Sequence, residues 1–147
     1  MVVARRAAYR GGMTEPLVTL PTTDAEWRVR LSPDEFRVLR RAGTEAAWSG
    51  EYVNTKTDGV YRCRACGQQL FESGAKFDSH CGWPSFDDAI PGTVKEIDDR
   101  SMGMDRTEIR CARCDSHLGH VFRGERMTDK NTRHCVNSLS IKLDPKQ

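Results

Sequence analysis

Apolar residues fall at helical spacing in only one part of the chain, near its start. Thr23-Asp24-Ala25-Glu26 has capping-box spacing ahead of Trp27 and predicts a short helical turn. Ser32 then stands as an N-cap, Pro33 takes the first helical position, Glu35 closes a second capping box, and Leu31 and Phe36 lie at staple spacing. Gly43 stops the helix that these residues start, and its apolar side carries Phe36, Leu39 and Ala42. This helix is expected to cover a core and to do no chemistry. After Gly43 the pattern changes to short β-type runs, among them Gly59-Val60-Tyr61-Arg62 and Thr107-Glu108-Ile109-Arg110. Asp58-Gly59, Ser73-Gly74, Pro91-Gly92 and Arg123-Gly124 punctuate them. Residues 123–133 are polar and aperiodic and read as a surface loop. With no βαβ alternation, the fold class is mainly β (a β-rich α+β domain) behind short N-terminal helices.

The longest alternation runs from Arg133 through Cys135, Asn137, Leu139 and Ile141 to Leu143, and it reads as one strand with these residues on one face. The aliphatic end would fix the strand against a core, and the near end would present the Cys135 thiol between a cation and an amide. Such neighbours favour a thiolate, the nucleophilic form. A small buried hydrophobe is the other reading of Cys135, and the strand alone leaves both open.

Length and charge narrow the classes. The 147 residues fit one domain with a real core. Hydrophobic content of 37% and charged content of 30% place the chain among soluble globular proteins. No apolar run approaches the roughly 18 residues of a membrane span, and a net charge of +2 does not by itself point to nucleic acid or membrane. Arg5, Arg6 and Arg10 lie in an acid-free start, which raises a transit peptide; Met13-Thr14-Glu15 offers an alternative start. The preferred expectation is a flexible segment over residues 1–24, extended around Pro16 and Pro21, then a single catalytic domain over 25–147 in a cytoplasmic protein.

Six cysteines divide into four and two. Cys63-Arg64-Ala65-Cys66 and Cys111-Ala112-Arg113-Cys114 are C-x-x-C knuckles, each following a predicted strand, and together they supply four thiolates for a tetrahedral site. Zn²⁺ matches that donor set, one structural ion per chain, and much of the folding energy would depend on it. Gly67 would ease the first knuckle turn. Redox motifs or disulfides are the competing readings; the missing βαβ setting weighs against the first and the missing secretory signal against the second. The long segment between the knuckles carries something of its own.

Cys81 and Cys135 stand outside any C-x-x-C, and such a pair in the cytosol points to redox chemistry. Cys81 lies in His80-Cys81-Gly82-Trp83-Pro84-Ser85-Phe86, a loop by composition, where Trp83 is either core packing or the aromatic wall of a pocket. His117 and His120 fall together in His117-Leu118-Gly119-His120, where Gly119 would let a loop turn both imidazoles towards one site. Alternative metal ligands and ordinary loop histidines are the other readings. With four cysteines available for zinc, the pair is free for acid–base work near neutral pH. His80 and His134 are weaker candidates, since on a strand His134 points away from the Cys135 side.

These residues carry a resemblance. Gly43-Thr44-Glu45, Gly50-Glu51-Tyr52, Gly59-Val60-Tyr61-Arg62-Cys63, Lys76-Phe77-Asp78, Cys81-Gly82-Trp83-Pro84-Ser85-Phe86, Arg106-Thr107-Glu108, His117-Leu118-Gly119-His120-Val121-Phe122 and Cys135-Val136-Asn137-Ser138 resemble, in order, the peptide-methionine (R)-S-oxide reductases. The match runs from about Leu31 to Leu143, and both knuckles fall where the zinc-containing members have them. The resemblance implies two antiparallel β-sheets, Cys135 as attacking and Cys81 as resolving cysteine, and Trp83, His117, His120, Arg133 and Asn137 as pocket and proton-handling residues. Two departures stand out: His134 where the family usually has Tyr, which would alter the pocket rim, and Met102 where many members have His.

The implied chemistry is attack of Cys135 on the sulfur of a methionine (R)-sulfoxide in a peptide or protein, with a histidine, His120 ahead of His117, protonating the oxygen. A sulfenic acid, a Cys81–Cys135 disulfide and recycling by thioredoxin would follow. The enzyme would act as a monomer, without nucleic acid or membrane. Two other classes compete: a zinc-bound module presenting Arg64, Arg110 and Arg113 to a protein or RNA, and a generic thiol peroxidase or redox sensor.

Overall fold

The computed structural model describes residues 19–146; most of the expected N-terminal segment, residues 1–18, lies outside them. Two seven-residue helices come first, α1 Asp24–Arg30 and α2 Pro33–Leu39. Both start as expected: Thr23 with Glu26, and Ser32 with Glu35, form reciprocal capping boxes. Helices this short do not persist alone, and packing holds them. Trp27, Phe36, Val38 and Leu39 are buried, while the Arg40 guanidinium lies 4.4 Å from the Trp27 ring centre and donates to the Cys114 carbonyl at 2.8 Å. Ala42 does not extend the apolar side. It lies beyond the helix with φ 56° and is exposed, because the chain has already turned there to close Gly43 N–H on Arg37 O at 2.9 Å.

Among the described residues nine strands follow in two antiparallel sheets. The smaller has the order β2-β1-β9, with β1 Gly59–Cys63, β2 Gln69–Glu72 and β9 Ile141–Pro145. The larger has the order β3-β4-β8-β7-β6-β5, with β3 Lys76–Phe77, β4 Ser85–Phe86, β5 Val94–Asp99, β6 Arg106–Cys111, β7 His117–Arg123 and β8 Thr132–Val136. Aromatic contacts join the sheets: Phe86 of β4 stacks on Phe71 of β2 with ring centres 4.4 Å apart and meets Tyr61 of β1 edge-on at 5.1 Å. Leu70, Ile109, Leu118, Val136 and Ile141 complete the core. The loop expected over residues 123–133 is shorter, running over 124–131 between β7 and β8, with Arg123, Thr132 and Arg133 in the strands.

The single strand expected from Arg133 to Leu143 is two strands in different sheets. A 3₁₀ turn, Ser138–Ser140, separates β8 from β9. The cause is a buried carboxylate: Glu45 accepts hydrogen bonds from Ser138 N–H at 2.8 Å and Leu139 N–H at 3.0 Å, removing both donors from any ladder. Asn137 is held too, its Oδ1 accepting from Glu45 N–H at 3.0 Å and its Nδ2 donating to Leu118 O at 3.2 Å. Leu139, Ile141 and Leu143 therefore do not anchor the Cys135 face. His134 and Val136, buried on the other side of β8, do so.

Candidate active site and metal centre

Cys63 ends β1 and Cys111 ends β6, and each opens the same knuckle. Gly67 N–H donates to Cys63 O at 2.9 Å, and Asp115 N–H to Cys111 O at 2.8 Å; Gly67 and Asp115 both take left-handed backbone, φ 87° and 68°. The turns bring the Sγ atoms of Cys63, Cys66, Cys111 and Cys114 within 4.8 Å of one another, all buried, with the two closest pairs at 3.6 Å. A tetrahedral thiolate site with bonds of about 2.3 Å has edges of about 3.8 Å, so the donor set fits a metal ion. Four ligands leave no open position, which marks such a site as structural.

Between the knuckles runs the segment that carries Cys81. It forms the loop from β3 to β4, and β4 pairs with β8 so that Ser85 lies opposite Cys135. Cys81 and Cys135 line one cavity as neighbours. The Cys135 thiol beside it, with Ser79 Oγ donating at 3.0 Å and Ser85 Oγ 3.5 Å away, holds Cys81 down to about 4. Its partner moves the other way: the Cys81 thiol and then burial push Cys135 up, while Arg133 opposes both. Arg133 is itself held by two bonds to Glu125, at 2.8 and 3.1 Å, and packs over the Phe122 ring.

A cavity of about 190 Å³ opens on this pair. Cys81, Cys135, Trp83, His117, His120, Arg133 and Asn137 all line it, together with Thr44, Arg106 and Phe122. Trp83 is half-buried, its Nε1–H donating to Glu45 O at 3.0 Å, which fixes the indole as a wall of the cavity.

The histidines sit on strand β7, not on a loop. Simple alternation would put residues three apart on opposite faces, but the β6–β7 register shifts, with Ile109 opposite Gly119 and Arg110 opposite His117. Leu118 is the extra residue of a bulge, and the two rings meet edge to face with centres 5.7 Å apart. Gly119 serves another purpose than turning a loop: a Cβ there would stand 1.9 Å from Cys135 O, so only glycine lets β8 approach. Each imidazole is fixed by a carboxylate, His117 Nδ1 by Glu108 of the adjacent β6 at 2.7 Å and His120 Nε2 by Asp99 of β5, one strand further on, at 2.7 Å. Burial lowers the His117 pKa despite Glu108. Burial also pushes Glu108 up, but Arg110 and His117 outweigh it and hold it low; Ser101 and then His120 hold Asp99 well below its ordinary value. Both carboxylates therefore accept, and each ring keeps its second nitrogen for the cavity.

A family model described as the SelR domain matches residues 31–145. A protein of Leifsonia xyli subsp. xyli, "Peptide methionine sulfoxide reductase MsrB", is 50% identical over 84% of this chain and 89% of its own. One of the same name from Thiobacillus denitrificans is 51% identical over 86% and 96%, and "Peptide methionine sulfoxide reductase B9" of Arabidopsis thaliana is 53% identical over 82% and 83%. The chain belongs to the MsrB family of peptide methionine sulfoxide reductases.

Membership sorts the remaining expectations. The basic surface of a zinc-bound module is already engaged within this MsrB fold: Arg64 bonds Glu51 at 2.8 Å, Arg110 bonds Glu108 at 2.9 and 3.0 Å, and Arg113 bonds Cys66 O at 3.1 Å. His134 does not reach the pocket rim. It is buried on the core side of β8, bonded to Phe86 O at 3.0 Å, because strand alternation turns it from the Cys135 face. His80 is exposed beside Asp78. Sequence reasoning missed Glu45, Asp99 and Glu108 as supports of the site. Glu45 and Glu108 lie in segments that carry the family resemblance, but nothing local marks Asp99, whose partner is 21 residues away.

Proposed function

We propose that this protein reduces methionine (R)-sulfoxide in peptides and proteins. The observation that carries the reading is the meeting of Cys81 and Cys135 in one cavity walled by Trp83 and lined by two carboxylate-anchored histidines. The sulfoxide methyl group packs on Trp83. Cys135, as the thiolate that Arg133 favours, attacks the sulfoxide sulfur, while His120, less buried than His117, protonates the oxygen. The hydroxyl passes from the substrate sulfur to Cys135 as the S–O bond and the new S–S bond to the substrate break, so methionine leaves and Cys135 holds the oxygen as a sulfenic acid. Cys81 condenses with it, releasing water and leaving a Cys81–Cys135 disulfide. A thioredoxin-type dithiol reopens the disulfide by exchange. Arg133 favours negative charge on the pair, and Asn137 orients the turn after β8.

Zinc is the ion we assign to Cys63, Cys66, Cys111 and Cys114, one per chain, tying β1 to β6. We place the activity in a single catalytic domain over residues 25–147, acting as a cytoplasmic monomer. No helix among the described residues is long and apolar enough to cross a membrane.

The test is single-turnover reduction of a peptide carrying each sulfoxide epimer, by the pre-reduced protein and by Cys135→Ser. Methionine from the R epimer alone, absent with the variant, supports both reaction and nucleophile. Turnover of neither epimer by metal-loaded protein would overturn the reading. Cys81→Ser is expected to keep the first turnover and lose thioredoxin-driven cycling.

A further inference from the structure

Methionine is a flexible gap-filler of cores, yet none of the described methionines is in this core. Met102 is 85% exposed, Met127 50% and Met104 44%. All three lie on two loops, each next to a strand residue that lines the cavity, Arg106 or Arg133. Met102 and Met104 occupy the turn from β5 to β6, whose base is the Asp99–Arg106 rung; Asp99 bonds His120, and Arg106 lines the cavity. Met127 lies on the loop from β7 to β8, where Glu125 holds the cavity residue Arg133.

The backbone presents Met102 most fully. Its φ is 58° and that of Gly103 is 69°, two successive left-handed residues that bulky side chains rarely adopt. A Cβ built on Gly103 would meet nothing within 4 Å, so the turn stands in open space.

An exposed thioether is oxidised by hydrogen peroxide: one oxygen passes to sulfur, the sulfur loses two electrons, and the peroxide is reduced to water. The product is the group that the cavity is proposed to reduce. We propose that Met102, with Met127 and Met104 after it, is an oxidation site whose R sulfoxide is a substrate for the active site of a second copy of this chain. The inference rests on the reductase reading above. In the repair step Cys135 of the second copy bonds to the Met102 sulfur, and that bond and the S–O bond then break as the oxygen passes to Cys135 as a sulfenic acid. Met102 returns to the thioether, and Cys81 with a dithiol reductant restores the second copy. Repair occurs between molecules, because folding the turn into its own cavity would pull Asp99 from His120. A second molecule's cavity requires no such change.

The test uses Cys135→Ser protein as the carrier. It is oxidised with hydrogen peroxide, freed of oxidant, returned to dithiothreitol, and incubated with a catalytic amount of wild-type protein; a methionine sulfoxide peptide is present in the same tube. Wild-type protein with alkylated thiols is a second carrier in case the variant misfolds. Mass spectrometry follows the tryptic peptides holding Met102 and Met127. Peroxide gives both epimers, and an enzyme for one epimer removes roughly half of the sulfoxide at each site. The expected result is loss of about half of the Met102 sulfoxide, fastest of the three sites, at a rate proportional to added wild-type protein. Persistence of the Met102 sulfoxide in both carriers while the peptide is reduced would overturn the proposal and leave the reductase reading intact. Persistence of both would overturn the reductase reading as well.

Discussion

Glu45→Gln isolates the contact that ends β8. The Glu45 side chain is buried, and its two oxygens accept from the backbone N–H groups of Ser138 and Leu139. A hydrogen bond to a charged group contributes about 1.5–3 kcal/mol. Glutamine keeps one accepting oxygen and sets an NH₂ against the other backbone donor, so one bond is lost. The expected destabilisation is therefore about 2–3 kcal/mol, a substantial fraction of the stability of a domain this size. At roughly 2–4 °C per kcal/mol, the melting temperature falls by about 5–10 °C. The same change loosens the cavity, because the Glu45 main chain holds Asn137 Oδ1 and the Trp83 indole. Denaturant unfolding measures the first effect. For the second, kcat/KM for a methionine sulfoxide peptide is compared with that of Leu70→Ala, a buried β2 change away from the cavity that costs about 3 kcal/mol. Glu45→Gln is expected to lose activity well beyond the control at temperatures where both are folded. Stability within about 0.5 kcal/mol of wild type would refute the role of the charged acceptor in setting the turn. Activity equal to that of the control would refute the link to the cavity.

Three further predictions follow from other contacts. Arg133→Ala removes the cation that opposes the upward shift of Cys135, so the pH at which iodoacetamide alkylates Cys135 should rise; an unchanged profile by peptide mapping counts against that electrostatic role. Gly119→Ala forces a Cβ against Cys135 O and is expected to cost about 3 kcal/mol or more in a denaturant titration, whereas wild-type stability would contradict the β7–β8 register. Cys66→Ser should lower bound metal from near one ion per chain to near none and abolish cooperative melting; a variant that melts cooperatively without metal would remove the structural role of the site.

What the sequence disclosed and what it hid differ in the range of the interactions involved. The helix starts at Thr23 and Ser32 were legible because a capping box is complete within four residues. The knuckles were legible because C-x-x-C closes on itself, and the sheet-forming runs beside them carried enough apolar alternation to be placed. The candidate site residues were legible as residue types, and all seven outside the knuckles line one cavity. Their arrangement was hidden because it depends on partners far along the chain. Arg133 to Leu143 alternates like one strand, and what divides it is Glu45, 93 residues before Ser138. His117 and His120 had been given a loop because Gly119 resembles a flexible joint. In the sheet that glycine is a clearance for the Cys135 carbonyl, and a bulge set by pairing with β6 brings the imidazoles together. The surroundings of Cys81 were hidden for a related reason. Arg133 is adjacent to Cys135 in sequence and visible, whereas Ser79 and Ser85 reach Cys81 only once the β3–β4 loop has folded. Local rules thus identify which groups take part, and the long-range hydrogen bonds of buried carboxylates decide which way each one faces.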